Sequence, residues 1–160
     1  MAVAITREEE HELLLTRTFD APPELVFKAW TDPAIVARWW GPKDYTNPVC
    51  ELDPHPGGAI RIHMRAPDGT LFPMTGVFDS IVEPNQMLFT LAVLDAEGKP
   101  LFEVETSVTL APTDDGKTLL TLRATVGRCT PQGHQYTSGM ELGWTQTLDR
   151  LADLLTKSKS

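Results

Sequence analysis

The last quarter of the chain carries the longest helical pattern in the sequence. Between residues 135 and 156, large apolar side chains recur at steps of four, four, three and four, which is the one-face repeat of an α-helix. A helix of about twenty residues is a rod of roughly 30 Å, the width of a small domain. Polar residues such as Gln146 and Arg150 fall mostly off this stripe, so we expect them to face water. The stripe consists of Met140, Trp144, Leu148, Leu151 and Leu155.

Two glycines, Gly139 and Gly143, lie four residues apart and leave one edge of this helix almost bare. Glycine in a helix interior costs up to about 1 kcal/mol relative to alanine. The bare edge therefore indicates either a close approach of another element or open space beside the helix. Two helix starts fit the sequence: Thr130-Pro131 offers an N-cap followed by proline, and Ser138 to Glu141 offers a capping box.

Between Tyr45 and Val126 the apolar period changes to two, the period of a β-strand. Short turn sequences such as Asp68-Gly69 separate the segments, and loops this short join antiparallel neighbours. Around Ile62 and Val104, apolar residues alternate with polar ones, which predicts one wet and one covered face. Six strands are predicted, near residues 45–53, 59–66, 71–83, 87–94, 101–111 and 118–127.

The segment before these strands predicts one more strand and two short helices. Residues 12–19 form the strand, and the prolines that follow start a helix over residues 24–30, because the first turn of a helix needs no N–H donor. Asp32 then caps a second short helix with Pro33 at its first position. This helix stops at Gly41 and the proline after it.

These elements predict a single α+β domain over residues 1–160, with a core from about residue 12 to residue 156. A seven-stranded antiparallel sheet with one dry face needs a cover, and the long C-terminal helix is the element of the right size. We expect a curved sheet that grips this helix, with the two short helices closing one end. Such a shell tends to leave a cavity between the sheet and the helix.

Six motifs carry a family resemblance: Arg17 to Pro22, Val26 to Pro33, Trp39 to Pro42, Asp53 to Gly58, Asp68-Gly69, and Gly143 to Leu151. In this order, they resemble the family named for homology to the activator of the 90-kDa heat-shock-protein ATPase. The resemblance extends over nearly the whole chain, from about residue 12 to residue 155.

This resemblance implies the helix-grip fold of the START-like superfamily. Its lipid-transfer, pollen-allergen-like and polyketide-cyclase members commonly bind an apolar ligand between the sheet and the long helix. The chain departs from the family at His55, where arginine is frequent, and at Ser80, near which an acidic residue is frequent. The sequence also shows no counterpart of the separate N-terminal domain of the two-domain eukaryotic activator. Co-chaperone activity therefore does not follow from the resemblance alone.

The charge of the chain argues against two classes of partner. A formal net charge of −8 disfavours nucleic acid, whose phosphates need a basic face, and docking on anionic membranes. No apolar run approaches the roughly 18 residues of a membrane span. The first residues are charged where a signal peptide is apolar. We therefore expect a cytoplasmic protein without membrane insertion, present as a monomer or a homodimer.

Motifs of known catalytic or metal-binding chemistry are missing from the sequence. It contains no nucleophile elbow, zinc-protease motif or phosphate-binding glycine loop. Cys50 and Cys129 stand apart and predict reduced structural thiols, and His55 and His63 have no evident further ligand for a metal. The sequence therefore predicts no catalytic residue, no metal and no cofactor. Whether the protein is an enzyme stays open, with a non-enzyme favoured.

The candidate site is the space between sheet and helix, because ligand sites are mostly apolar with a few placed polar groups. Methionines suit such a site, since they fill irregular volumes adaptably. His134 and Tyr136, at the entrance to the long helix, are the polar candidates. Plain core packing is the alternative for the apolar set. The candidate lining consists of Trp40, Ile62, Met64, Met74, Phe78, Phe102, His134, Tyr136, Met140 and Trp144.

Three functions are compatible with these sequence features. The first is binding of a small hydrophobic ligand in the cavity, without catalysis. The second is a protein-interaction module that acts on a chaperone, which rests on the family resemblance alone. The third is a polyketide cyclase-like enzyme, which requires a buried His134, Tyr136 or carboxylate with a shifted pKa.

Overall fold

The computed structural model describes residues 12–95, 97–129 and 140–159. Its elements follow the predicted order, and each predicted strand boundary lies within two residues of the observed one. Both predicted starts of the long helix, between residues 130 and 139, fall outside the described residues. The elements are β1 (Glu12–Phe19), α1 (Pro23–Thr31), α2 (Pro33–Trp39), β2 (Thr46–Leu52), β3 (Ala59–Arg65), β4 (Leu71–Val82), β5 (Gln86–Leu94), β6 (Pro100–Pro112), β7 (Thr118–Cys129) and α3 (Met140–Lys159).

The described strands form one curved antiparallel sheet in the order β1-β7-β6-β5-β4-β3-β2. The meander from β2 to β7 confirms the prediction from the short turns. The first strand joins the sheet beside the last, where Leu15 lies opposite Leu122. This pairing leaves β1 and β2 as the two edges, so the sheet is open rather than a closed barrel.

Helices α1 and α2 form where the prolines and Asp32 predict them. Pro23 occupies the first position of α1, whose first-turn N–H groups need no partner. The Asp32 side chain accepts a hydrogen bond from the Ala34 N–H at 3.0 Å and so caps α2. The indole N–H of Trp39 donates to the Ala29 carbonyl at 2.9 Å, which ties the two helices together across their bend.

The core lies between the inner face of the sheet and the helices. Along β6, side chains from Phe102 to Leu110 alternate between buried and solvent-facing, as predicted. Helix α3 buries Leu148, Leu151 and Leu155 of its predicted stripe against this face. Among the described helices, none is both long enough and apolar enough to cross a membrane.

The Arg150 side chain is half-buried against the end of α2, so the prediction that it faces water was wrong. Its Nη1 donates to the carbonyls of Trp40, Gly41 and Pro42 at 3.0, 2.9 and 3.0 Å, and its Nη2 donates to the Arg38 carbonyl at 3.1 Å. The Arg38 and Trp40 carbonyls lie at the C-terminal end of α2, where helix carbonyls lack partners within the helix, and the Gly41 and Pro42 carbonyls lie in the segment that follows. A cation is favoured there by the helix dipole as well. Arg150 therefore fastens the end of α2 to α3.

Burial of Arg150 in this position lowers the pKa of its guanidinium, and the nearby Asp44 carboxylate opposes this shift. Arginine nevertheless stays protonated in proteins, so its donors remain charged. Hydrogen bonds from charged donors are stronger than neutral ones. Arg150 therefore makes strong hydrogen bonds, although its position off the apolar stripe predicts a surface residue.

We expect Arg150→Met to lower the free energy of unfolding by about 2–3 kcal/mol, because the carbonyls at the end of α2 lose charged donors. Arg17→Met is the matched control. Arg17 lies on β1 and pairs with Asp149 of α3 at an exposed site. An exposed pair contributes about 0–1 kcal/mol. Urea unfolding followed by circular dichroism measures both variants. Equal losses in the two variants would contradict the role given to Arg150.

Candidate functional site

A cavity of about 330 Å³ lies between the inner face of the sheet and the first turns of α3. Buried lining residues such as Leu91 and Thr106 mark its inner part. Partly exposed ones such as Pro42 and Trp144 mark the side nearer to solvent. The described lining consists of Trp40, Gly41, Pro42, Tyr45, Met64, Phe72, Met74, Leu91, Val93, Phe102, Val104, Thr106, Gly143, Trp144 and Thr147.

The sheet supplies the floor of the cavity through inward-facing residues of β3 to β6. Met74, Val93 and Phe102 form one row across β4, β5 and β6, with Met74 opposite Val93 and Val93 opposite Phe102. In the next row, Leu91 lies opposite Val104. Such rows arise because alternate residues of each strand point to the same face. The floor is therefore apolar throughout these two rows.

The four tryptophans of the chain form one cluster at the helix side of the cavity. Trp30 and Trp144 stack with ring centroids 6.1 Å apart, and Trp40 meets Trp144 edge to face at 5.5 Å. The Trp40 indole N–H points at the Met74 sulfur at 3.4 Å. Trp40 and Trp144 line the cavity, whereas Trp30 and Trp39 lie behind them in the core.

Gly143 makes room for the cavity on the helix side. Among the described residues, a Cβ atom at this position would meet only the Pro42 Cγ, at 3.7 Å, which is ordinary van der Waals contact. Among the described residues, no backbone therefore approaches Gly143 closely enough to require a glycine there. Gly139, the other glycine of that edge, lies outside the described residues.

Two threonines bring polar atoms to this apolar lining. The Thr147 hydroxyl donates to the Gly143 carbonyl at 2.7 Å, within helix α3. The Thr106 hydroxyl is buried and has no hydrogen-bond partner in the part of the chain that the structure describes. The described lining also includes Tyr45 but no carboxylate, histidine, cysteine or lysine.

The structure separates the predicted site residues into three groups. Trp40, Met64, Met74, Phe102 and Trp144 all line the cavity. Ile62 and Phe78 also point inward, but they lie beneath α1 and α2, around a void of only about 20 Å³. Outside the described residues lie His134, Tyr136 and the side chain of Met140.

Several lining residues were missed by sequence reasoning. Phe72 shares the phase of Met74 on β4, and Thr106 shares the phase of Phe102 on β6, so the alternation could have identified both. Pro42 and Tyr45 had no such signal. They line the cavity because the chain after α2 runs beside α3, which local sequence does not specify.

Among the described residues, the groups with metal or thiol chemistry do not line this cavity. Burial, followed by the nearby carboxylates of Asp32 and Glu51, raises the pKa of the Cys50 thiol to about 11, so the thiol is protonated at neutral pH. His55 Nδ1 lies 2.6 Å from Asp53 Oδ1 at an exposed turn. Over residues 12–95, 97–129 and 140–159, no three His, Cys, Asp or Glu side chains gather as a metal site would require.

Solved structures with this architecture come from several bacteria. A protein from Nitrosomonas europaea is 27% identical, with 92% of this chain and 96% of that chain covered and a TM-score of 0.77. A protein from Chromobacterium violaceum is 30% identical, with 91% and 97% covered and a TM-score of 0.75. One from Arthrobacter aurescens is 26% identical, with 96% and 90% covered and a TM-score of 0.79. The helix-grip arrangement of this chain is thus shared along almost its whole length.

A comparison with curated proteins gave no match. The model of one protein family does match, over residues 20–156, and its description is "Activator of Hsp90 ATPase homolog 1-like protein". The match covers both short helices, β2 to β7 and most of α3. It therefore includes every described residue that lines the cavity. The chain belongs to the family of Activator of Hsp90 ATPase homolog 1-like proteins.

Proposed function

We propose that this protein binds a small apolar molecule in the cavity between the sheet and α3, without catalysing a reaction on it. One observation carries the proposal: the described residues leave a pocket of about 330 Å³ with a mostly apolar lining. Protein interiors are otherwise packed as densely as organic crystals, with few voids larger than a water molecule. Space of this size and polarity is typical of ligand sites.

The size of the cavity limits the ligand. An engineered apolar cavity of about 150 Å³ binds benzene. In the same proportion, a cavity of 330 Å³ holds an apolar molecule of roughly a dozen non-hydrogen atoms. A bicyclic aromatic molecule of the size of naphthalene meets this limit, and a longer chain would extend past Trp144 toward solvent.

The family description favours a second candidate, an interaction module that acts on a chaperone. This candidate rests on the name of the family, since fold kinship alone specifies no activity. The third candidate, a cyclase-like enzyme, depends on a buried His134, Tyr136 or carboxylate; His134 and Tyr136 lie outside the described residues, and the described lining contains no carboxylate. Among the described lining residues, nothing supports proton transfer beyond the phenol of Tyr45.

We expect Gly143→Leu to weaken the binding of 2-methylnaphthalene by about tenfold or more, which corresponds to about 1.4 kcal/mol. The leucine side chain enters the space that is open at Gly143 and occupies the volume of the ligand. Thr145→Leu is the matched control, because it places the same side chain on the exposed face of the same helix. Equilibrium dialysis measures the dissociation constants. Unchanged binding by a folded Gly143→Leu protein would contradict the proposal.

Gly143→Ala is expected to stabilise the protein, because alanine exceeds glycine in helix propensity by about 1 kcal/mol. Among the described residues, the added methyl group meets only Pro42, at an ordinary contact distance of 3.7 Å, and no strain from them opposes the gain. Thermal unfolding of the two proteins without ligand measures the difference. A loss of stability would show that the space beside Gly143 is not open.

The chaperone candidate predicts that the protein raises the ATPase rate of a purified 90-kDa heat-shock chaperone. The rate is measured with and without a molar excess of the protein, and complex formation is followed by gel filtration. The same ATPase assay is repeated with the protein bound to 2-methylnaphthalene, because filling the cavity does not by itself change the outer surface that would contact the chaperone. An unchanged rate without co-migration would remove this candidate and leave ligand binding standing.

A further inference from the structure

We propose that Thr106 is the polar anchor of the cavity, and that the ligand is a neutral molecule with an apolar body and one hydroxyl or carbonyl group directed at this residue. The inference rests on the proposed function, because it specifies the ligand of the same cavity. It comes from an unsatisfied hydrogen-bonding group inside that cavity rather than from the cavity's shape.

Thr106 occupies a position at which the alternation along β6 predicts an apolar residue. Its neighbours in phase along β6, Val104 and Val108, are buried among the core residues. Thr106 itself is 1% exposed, and it lies opposite Phe89 on β5 and Ala124 on β7. Valine has almost the same shape and carries no polar atom, so packing alone does not explain a threonine at this position.

The hydroxyl of Thr106 is the unusual feature. A buried hydroxyl without a partner loses its hydrogen bonds to water and gains none in exchange. Two further buried polar atoms lack partners among the described residues, Trp30 Nε1 and Asn47 Oδ1, but neither residue lines the large cavity. Of these three residues, Thr106 is therefore the one that both lines the large cavity and carries a buried polar atom without a partner.

The chemistry of the lining defines the ligand group. The Thr106 hydroxyl can both donate and accept, so it suits a carbonyl or a hydroxyl group. The described lining contains no arginine, lysine or histidine to pair with a carboxylate or a phosphate. An isolated ionised group is strongly disfavoured in such surroundings. A neutral ligand group is therefore the one that this pocket accommodates.

Thr147 is the other threonine of the lining, and it is less suited to anchor a ligand. Its own proton is already donated to the Gly143 carbonyl, so it offers only lone pairs. Water is a poor substitute at Thr106, because a buried water needs two to four polar partners. Thr106 lies on the sheet side of the cavity, where the neighbouring apolar rows offer few polar partners to a water molecule.

The test compares two molecules of equal size, 2-naphthol and 2-methylnaphthalene, by equilibrium dialysis against the full chain. For each molecule, the association constant is divided by its partition coefficient from water into an alkane. For the wild type, this corrected association constant is expected to be about fivefold larger for 2-naphthol than for 2-methylnaphthalene, which corresponds to one neutral hydrogen bond. Thr106→Val removes the hydroxyl at constant shape and should abolish this preference. Thr106→Ser keeps the hydroxyl and should retain it. Thr147→Val, the matched control on the opposite wall, should leave the preference unchanged.

A second readout needs no ligand and separates an anchor from a structural threonine. Without ligand, Thr106→Val is expected to raise the melting temperature by about 2–4 °C, because an unsatisfied buried hydroxyl is removed. A threonine that is hydrogen-bonded within the fold would instead lower it when replaced. If the valine variant fails to fold, that outcome counts against the inference as well, and Thr106→Ala supplies the hydroxyl-free protein for dialysis.

The outcomes distinguish this inference from the proposed function. If neither naphthalene derivative binds to the wild type, both the proposed function and the role of Thr106 as an anchor are contradicted. If both bind but the preference survives in Thr106→Val, the cavity is a ligand site and Thr106 is not its anchor. A preference that disappears in Thr147→Val but not in Thr106→Val moves the anchor to α3 and likewise overturns the inference.

Discussion

The attachment of α2 to α3 through Arg150 is the interaction on which the site depends. The Arg150 guanidinium donates hydrogen bonds to the carbonyls of Arg38, Trp40, Gly41 and Pro42, and the Gln146 side chain accepts a further hydrogen bond from the Lys43 N–H at 3.2 Å. Both donor and acceptor side chains stand on α3, one turn apart. The chain between α2 and β2 is thereby held beside α3, where Trp40 and Pro42 line the cavity.

The cavity exists because two neighbouring parts of the core are packed differently. Beneath α1 and α2, Trp30 and Val36 fill the space above Ile62 and Phe78, and only about 20 Å³ stays free. Beneath the first turns of α3, Gly143 carries no side chain beside Trp144, and the described residues leave about 330 Å³ free. An unfilled volume forfeits dispersion contacts, and Gly143 and Thr106 each lower stability further. This part of the protein therefore trades stability for space, as functional sites commonly do.

Much of the fold was readable from short-range patterns. Alternation of period two predicted the strands of the sheet, since a strand with one covered face cannot present both faces alike. Proline and aspartate marked the short helices, because their preferences act within one turn. For the cavity, the same reasoning identified Met74 and Phe102 from their phase on the sheet. It could not separate them from Ile62 and Phe78, which have the same phase but lie under different helices.

The sequence by itself determined the α+β class, the order and limits of the described elements, and the faces that turn inward. These properties depend on neighbours within a few residues and on the periods of helix and strand. Only the tertiary structure decided that β1 pairs with β7, that Arg150 turns from water to the end of α2, and that space is left beside Gly143. Each of these results depends on contacts between residues far apart in the chain. Local periodicity describes a face, but not what covers it.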